Sequence, residues 1–206
     1  IRNFFVSNII ILFFFAGCGK KEYKITESKY TNYNIISLNI FENNFISKDK
    51  KYKLSDELGF SLMEWTLDYD RIFENPIMSR AGIKEIKTLM KSTNVAIPSL
   101  TGDCFMQAPF WKECNFKERH LIGIFEEVVK ACGNLGIYLL VVPLVDNGAI
   151  QSETEEIFLA DVLMSKIDLL KDNSVRVIFE SDYPPRKLAD FISTYPIDLF
   201  GINYDI

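Results

Sequence analysis

The chain has 206 residues, of which 48% are hydrophobic, and its formal net charge is −5. This length suits one domain, and this apolar fraction is sufficient for a sizeable core. The acidic balance lacks the basic footprint of nucleic-acid-binding domains, so no nucleic-acid partner is expected. The single histidine, His120, excludes an imidazole-rich metal site, and four cysteines without C-x-x-C spacing indicate reduced thiols.

The first 53 residues differ from the rest of the chain. An apolar run at residues 9–16 leads to the small residues before Cys18, as in a bacterial lipoprotein signal. This pattern predicts a lipid anchor at Cys18. Two alternatives to the signal remain open: a buried strand or helix of the fold, or a segment foreign to the domain. Separately, residues 33–41 could form an earlier strand. The predicted organisation is an atypical segment at residues 1–53 and a domain at 54–206.

Strands and helices alternate along the predicted domain. Short apolar runs predict five strands, at residues 61–67, 95–100, 137–144, 175–181 and 198–205. Periodic or capped segments predict helices at 79–93, 117–134, 152–171 and 184–194, with a loop at 101–111. Such alternation gives a parallel sheet, either open and doubly wound or closed into a β/α barrel.

Acidic and amide side chains lie near the carboxyl ends of these strands. They are Glu64, Asp68, Asp103, Asp146, Asn147, Glu180, Asp182 and Asp205. In a β/α barrel these ends open on one face, where active sites lie, and carboxylates suit divalent cations. Some of the acids could instead cap the following helices. Glu180 and Asp205 favour a site, because each closes an apolar strand where an uncompensated charge is costly.

Four aromatic residues, Trp65, Phe105, Phe110 and Trp111, lie near the same strand ends. They could stack on a sugar ring or pack in the core. His120, at the polar start of a helix, is interpreted as a solvated surface residue.

Five blocks of the sequence, taken together and in order, resemble the sugar phosphate isomerase/epimerase family. They are "ELGFSLMEWTLDYD", "SLTGDCFMQAPFWK", "LGIYLLVVPLVDNG", "FESDYPP" and "FGINYDI". The similarity covers residues 54–206 and implies an α/β fold, an incomplete xylose-isomerase-like (β/α)8 TIM barrel. The family's further His-bearing and Glu-bearing strands have no counterpart in these residues, so a truncated and inactive barrel is expected.

The resemblance also implies a site. A divalent metal (Mn²⁺, Mg²⁺ or Zn²⁺) would be held by Glu180 and Asp205, and Glu180 would move the proton next to a substrate carbonyl, through an enediolate. Five further residues would line the sugar pocket: Glu64, Asp103, Gln107, Asp146 and Asn147.

The resulting hypothesis is a cytoplasmic, metal-dependent sugar or sugar-phosphate isomerase/epimerase that acts on a small molecule, with a homo-oligomer as one expected state. An alternative of the same fold is an endonuclease for abasic DNA sites, although that chemistry uses a histidine-rich zinc site. Another alternative is a non-catalytic, carbohydrate-binding lipoprotein anchored through Cys18.

Overall fold

The computed structural model describes residues 35–37, 52, 61–112 and 116–204. Its six strands form one sheet in which every neighbouring pair is parallel. The strands are β1 (Ile35–Ser37), β2 (Leu62–Thr66), β3 (Ser99–Thr101), β4 (Leu139–Leu144), β5 (Arg176–Ser181) and β6 (Phe200–Ile202). Their order in the sheet follows their order in the chain.

Helices connect the strands in the described part of the chain. They are α1 (Arg80–Thr93), α2 (Asp103–Gln107), α3 (Phe116–Leu135), α4 (Glu153–Met164), α5 (Ile167–Asp172) and α6 (Pro185–Ser193). Short 3₁₀ turns lie at Ile72–Glu74, Pro76–Met78 and Asp146–Gly148. This is the repeated strand–helix unit that the sequence predicts.

The strand order decides between the two sheets that the sequence leaves open. A doubly wound sheet reverses its strand order at a switch point, whereas a β/α barrel adds each strand beside the one before it. The uninterrupted order from β1 to β6 is that of the barrel. The longest pairing, β4 with β5, joins six residues of each strand, from Leu139–Arg176 to Leu144–Ser181.

Hydrophobic residues cover the two faces of the sheet unequally. The large core lies between the sheet and the helices, and it includes Met63, Trp65, Val177 and Phe179 from the strands. A much smaller cluster on the opposite face contains Leu139, Val141 and Ile178. Successive side chains of a strand point to opposite faces. Each strand residue can therefore be assigned either to the helix-covered face or to the opposite face. The face that carries Val141 and Ile178 is called the inner face below.

Local sequence signals set several helix boundaries. The capping box forms as predicted, because the Ser152 hydroxyl accepts a hydrogen bond from the Glu155 N–H at 3.2 Å. The Glu155 carboxylate in turn accepts one from the Gln151 N–H at 2.8 Å. Just beyond α3, Gly136 has a φ of 75°, a left-handed conformation that glycine adopts without strain.

Three predicted elements are corrected by the structure. The segment 101–111 is not a loop throughout, because it contains α2, whose five residues are too few to show a helical period. The segment 152–171 forms two helices. The Ser165 hydroxyl, which donates to the Val162 carbonyl at 2.6 Å, competes with the backbone at that break. The strand predicted at 95–100 is regular only from Ser99.

Some predictions concern residues outside the described part, including Cys18 and Asp205. Within the early segment, the strand proposed at 33–41 is present as β1, which pairs with β2. The division at residue 53 stays a prediction.

The two described cysteines, Cys104 and Cys132, are buried free thiols, and burial raises the pKa of Cys132 to about 12. Among the described helices, none has the length and apolarity that a membrane crossing requires.

Candidate active site

The sheet places acidic residues on its inner face, at or beyond the carboxyl ends of the strands. On β5, Val177 and Phe179 pack in the helix-covered core, so the alternation turns Glu180 to the inner face. On β2, Met63 and Trp65 belong to the same core, which puts Glu64 on the inner face. Both glutamates are half-buried.

Glu64 is fixed by a neighbour on the next strand. The Ser99 hydroxyl donates a hydrogen bond to its Oε2 atom at 2.7 Å. Ser99 is the first residue of β3 and is itself buried. The bond therefore holds the Glu64 carboxylate against the sheet.

Asp103 is the acid whose pKa is raised by burial and by the neighbouring carboxylates. It lies in the first turn of α2, directly after β3. Burial is the largest cause of its raised pKa; the negative charges of Asp68, Glu180 and Glu64 follow in that order, and together these effects raise the pKa to about 6. These four residues, Glu64, Asp68, Asp103 and Glu180, are called the carboxylate cluster below. Such a cluster attracts a cation, and it can retain a proton near neutral pH.

Gln107 and Asn147, which were predicted as sugar-binding residues, hold loops together. The Gln107 side chain donates to Asp68 Oδ1 at 2.8 Å and accepts from the Tyr69 N–H at 2.7 Å. The Asn147 amide donates to the carbonyls of Met106 and Gln107 at 3.0 and 3.2 Å. The segments that follow β2, β3 and β4 are thus cross-linked above the strands.

Asp146 begins the 3₁₀ turn after β4 and is exposed. Its φ of 49° is left-handed, a conformation that aspartate tolerates better than most residues. Two residues later, a Cβ on Gly148 would lie 2.6 Å from the Pro143 carbonyl oxygen. The Trp111 indole N–H donates to the Gly148 carbonyl at 3.1 Å, so the backbone of this turn is tightly held.

A groove of about 560 Å³ lies beside Gln107 and Asn147. It is called the loop groove below, and its described lining residues are Tyr69, Gln107, Ala108, Pro109, Lys112, His120, Leu121 and Asn147. His120 is exposed, as predicted from the sequence. The groove joins two of the predicted pocket residues to a part of the surface that the sequence did not indicate.

The four aromatic residues near the strand ends pack in the core and do not offer a surface for stacking on a sugar ring. Trp65, Phe105, Phe110 and Trp111 are all buried in the core, with exposed fractions of 3% or less, so they do not present a face to a sugar. The exposed aromatic residues of this region are Tyr69 at 38% and Phe73 at 57%. Neither was singled out from the sequence, because an isolated aromatic residue in a loop carries no periodic signal.

The described residues do not complete a metal site. No group of three or more histidine, cysteine, aspartate or glutamate side chains within them is arranged to hold a metal ion. Of the two predicted ligands, Glu180 lies on the inner face as a member of the carboxylate cluster, and Asp205 lies outside the described residues. The described part therefore contributes one predicted ligand and a concentration of negative charge.

Comparison with solved structures shows which barrel this is. A D-psicose 3-epimerase from Clostridium cellulolyticum H10, solved with D-tagatose, matches 82% of this chain with a TM-score of 0.63 and 14% identity. The IOLI protein, solved with a zinc atom, matches 82% with a TM-score of 0.59 and 16% identity. A xylose isomerase-like TIM barrel protein from Mycobacterium smegmatis, in complex with magnesium, matches 76% with a TM-score of 0.56 and 14% identity.

The fold is therefore that of the xylose-isomerase-like TIM barrels, and the resemblance found in the sequence is confirmed at this level. The chain matches 61% of the epimerase, 61% of the IOLI protein and 55% of the magnesium-bound barrel, so it corresponds to part of such a barrel. No protein-family model matches the chain, and no curated protein matches it by sequence.

Proposed function

We propose that this chain is part of a metal-dependent sugar or sugar-phosphate isomerase or epimerase of the cytoplasm. The observation that carries the proposal is the placement of Glu180 beside three other carboxylates at the strand ends of a xylose-isomerase-like barrel. Active sites of β/α barrels lie at this face. The similar structures include an epimerase solved with a sugar, which supports a small sugar as the substrate.

The chemistry assigned to this site is proton transfer beside a carbonyl. Glu180 takes the proton from the carbon next to the carbonyl and returns it to a neighbouring position, passing through an enediolate. Its half-buried position on the inner face strengthens electrostatic interactions with a bound substrate. Glu64 and Asp103 border the same space and can accept hydrogen bonds from sugar hydroxyls.

A divalent cation fits the charge of this site. The pKa of Asp103 is raised first by burial and then by the charges of three neighbouring carboxylates, and a cation would offset those charges. Glu180 and Asp205 would hold the ion, and hard oxygen ligands suit Mg²⁺ or Mn²⁺, while zinc also accepts carboxylates. When bound, the ion would polarise the carbonyl and stabilise the negative charge that develops on its oxygen.

Proton exchange in heavy water tests this proposal. The protein encoded by the full reading frame would be incubated in D₂O with Mn²⁺ and a panel of ketoses and ketose phosphates. Deuterium incorporation at the carbon next to the carbonyl would be followed by NMR. We expect Glu180→Gln to lower the exchange rate by about 10²- to 10⁴-fold, the usual contribution of a positioned acid–base group.

The control for that experiment is Glu153→Gln, an exposed acid in the first turn of α4 on the outside of the sheet. It should exchange at the unsubstituted rate. Exchange that is absent with every sugar, or that survives the Glu180→Gln substitution, would refute the proposed role. Metal removal by a chelator should abolish exchange, and restoring Mn²⁺ should recover it.

A further inference from the structure

The loop groove is connected to the carboxylate cluster. Gln107 lines the groove, and its side-chain amide donates to Asp68, a member of the cluster, at 2.8 Å. The groove lies at the carboxyl ends of β2 to β4, and the carboxylate cluster lies at those of β2, β3 and β5. The two features therefore lie at the same end of the sheet.

The described lining of the groove differs from the cluster in charge. Lys112 and His120 belong to that lining, and none of its described residues is an aspartate or glutamate. This contrast is notable in a chain with 28 acidic residues and 23 lysine and arginine residues. Lys112 is half-buried, yet neither its ammonium group nor His120 forms an ion pair with any described carboxylate. By comparison, the similarly half-buried Lys166 contacts Glu126 at 2.6 Å.

The other side-chain nitrogens of the described lining are already in use, which leaves Lys112 and His120 as its available N–H donors. The amide nitrogens of Gln107 and Asn147 already donate to Asp68 and to backbone carbonyls. Lysine offers three N–H donors, and histidine offers at least one. The Phe73 ring lies 6.2 Å from the His120 ring, centroid to centroid, and limits where the imidazole can move. Pro109 and Leu121 supply apolar walls.

We propose that Lys112 and His120 form a subsite for an oxyanion group, a phosphate or a carboxylate, at the end of the substrate remote from Glu180. The assignment of that group to a sugar rests on the proposed function, whereas anion binding by the groove does not. The inference narrows the substrate from sugars in general to sugars that carry a negative charge. It also gives Lys112 and His120 a role in substrate choice.

Direct binding measurements test the subsite without turnover. Inorganic phosphate would be titrated into the full-reading-frame protein and followed by ³¹P NMR line broadening, and D-glucuronate would be titrated by calorimetry as the carboxylate probe. We expect saturable binding of at least one probe. Lys112→Gln and His120→Gln should each weaken it about tenfold or more, since each removes a hydrogen bond to a charged group.

The matched control is Lys87→Gln, an exposed lysine on α1 that does not line the groove; its affinity should be unchanged. Binding of phosphate alone, or of glucuronate alone, would support the subsite and identify the anion. Binding of neither probe, or affinity unaffected by both groove substitutions, would overturn it. Circular dichroism would confirm that each variant is folded, and the two independent variants keep the test decisive if one is not.

The proton-exchange experiment separates this inference from the proposed function. Groove-dependent anion binding without exchange on any sugar would overturn the proposed function and leave the subsite standing. Exchange that is equally fast with neutral and charged sugars, and equal in both groove variants, would overturn the subsite alone.

Discussion

Two adjacent residues of β5, Phe179 and Glu180, belong to different regions of the molecule. Phe179 is fully buried on the helix-covered side, where its ring lies 5.2 Å from Phe191 and 5.4 Å from Tyr195. Glu180 is half-buried on the inner face, where its charge acts on Asp103. One strand thus supplies both the packing that stabilises the sheet and the carboxylate assigned to the chemistry.

The comparison shows how the barrel separates stability from function. The helix-covered side gains free energy from buried apolar area, at roughly 25 cal/mol per Å². At the strand ends of the inner face, burial and three neighbouring carboxylates disfavour the charged form of Asp103, which opposes folding. The packed core can offset the cost of the charged inner face, because both sets of side chains project from the same strands.

The largest expected effect comes from the helix-covered side. Phe179→Ala should lower the free energy of unfolding by about 3–5 kcal/mol, because it leaves a cavity among aromatic side chains. Urea denaturation followed by circular dichroism measures this loss. Glu180→Gln, one residue away, should leave stability unchanged or slightly raised, and a comparable loss in that variant would remove the distinction between the two faces.

A smaller effect is expected for the cross-linked loops. Gln107→Ala removes the hydrogen bonds to Asp68 and Tyr69 and should cost about 1 kcal/mol, since the side chain is exposed. Thermal unfolding measures this cost. Gln151→Ala is the matched control, because its exposed side chain lies outside these loops and should cost nothing measurable. Equal melting temperatures for the two variants would mean that the cross-link does not contribute.

The smallest effect concerns the charge of the carboxylate cluster and depends on pH. The pKa of Asp103 is about 6 in the folded protein and about 3.9 when unfolded, so folding favours its protonated form. Its stabilising contribution is present at low pH and is lost as the pH rises from about 4 to about 6. Asp103→Asn should therefore raise stability more at pH 8 than at pH 4.5.

The gain at pH 8 should be below about 1 kcal/mol, because solvent screens a carboxylate that is only half-buried. Thermal unfolding at the two pH values provides the measurement. An equal gain in stability at the two pH values, or a loss of stability at pH 8, would contradict the interpretation that folding disfavours the charged form of Asp103. Adding Mg²⁺ should reduce the difference between the variant and the unsubstituted protein if the cation lies near the cluster.

Much of the architecture could be predicted from local patterns. The continuous apolar run of β4 and the helical spacing of α3 identify elements that the structure confirms. The α2 helix could not be found in this way, because five residues do not complete two turns. The break between α4 and α5 also escapes prediction, since apolar residues continue on both sides of it; the Ser165 hydroxyl bonds to the Val162 carbonyl at that point.

The site was only partly predictable for a different reason. Strand-end acids can be identified from the sequence, and the charges of Glu64 and Glu180 do act on Asp103 through space. The pairing of Gln107 with Asp68 spans 39 residues of sequence, and the contact of Asn147 with Met106 spans 41. A local sequence pattern does not predict such distant contacts. The residues that make them, Gln107 and Asn147, line the loop groove.

The amino-acid order by itself determined the alternation of strands and helices and the acids that close the strands, because hydrophobic period and turn chemistry act over a few residues. Tertiary structure alone decided that the strands follow one another around a barrel, that Glu180 and Phe179 serve opposite faces, and that Lys112 and His120 share a groove. These features depend on which distant segments pack together, and packing is a property of the whole folded chain.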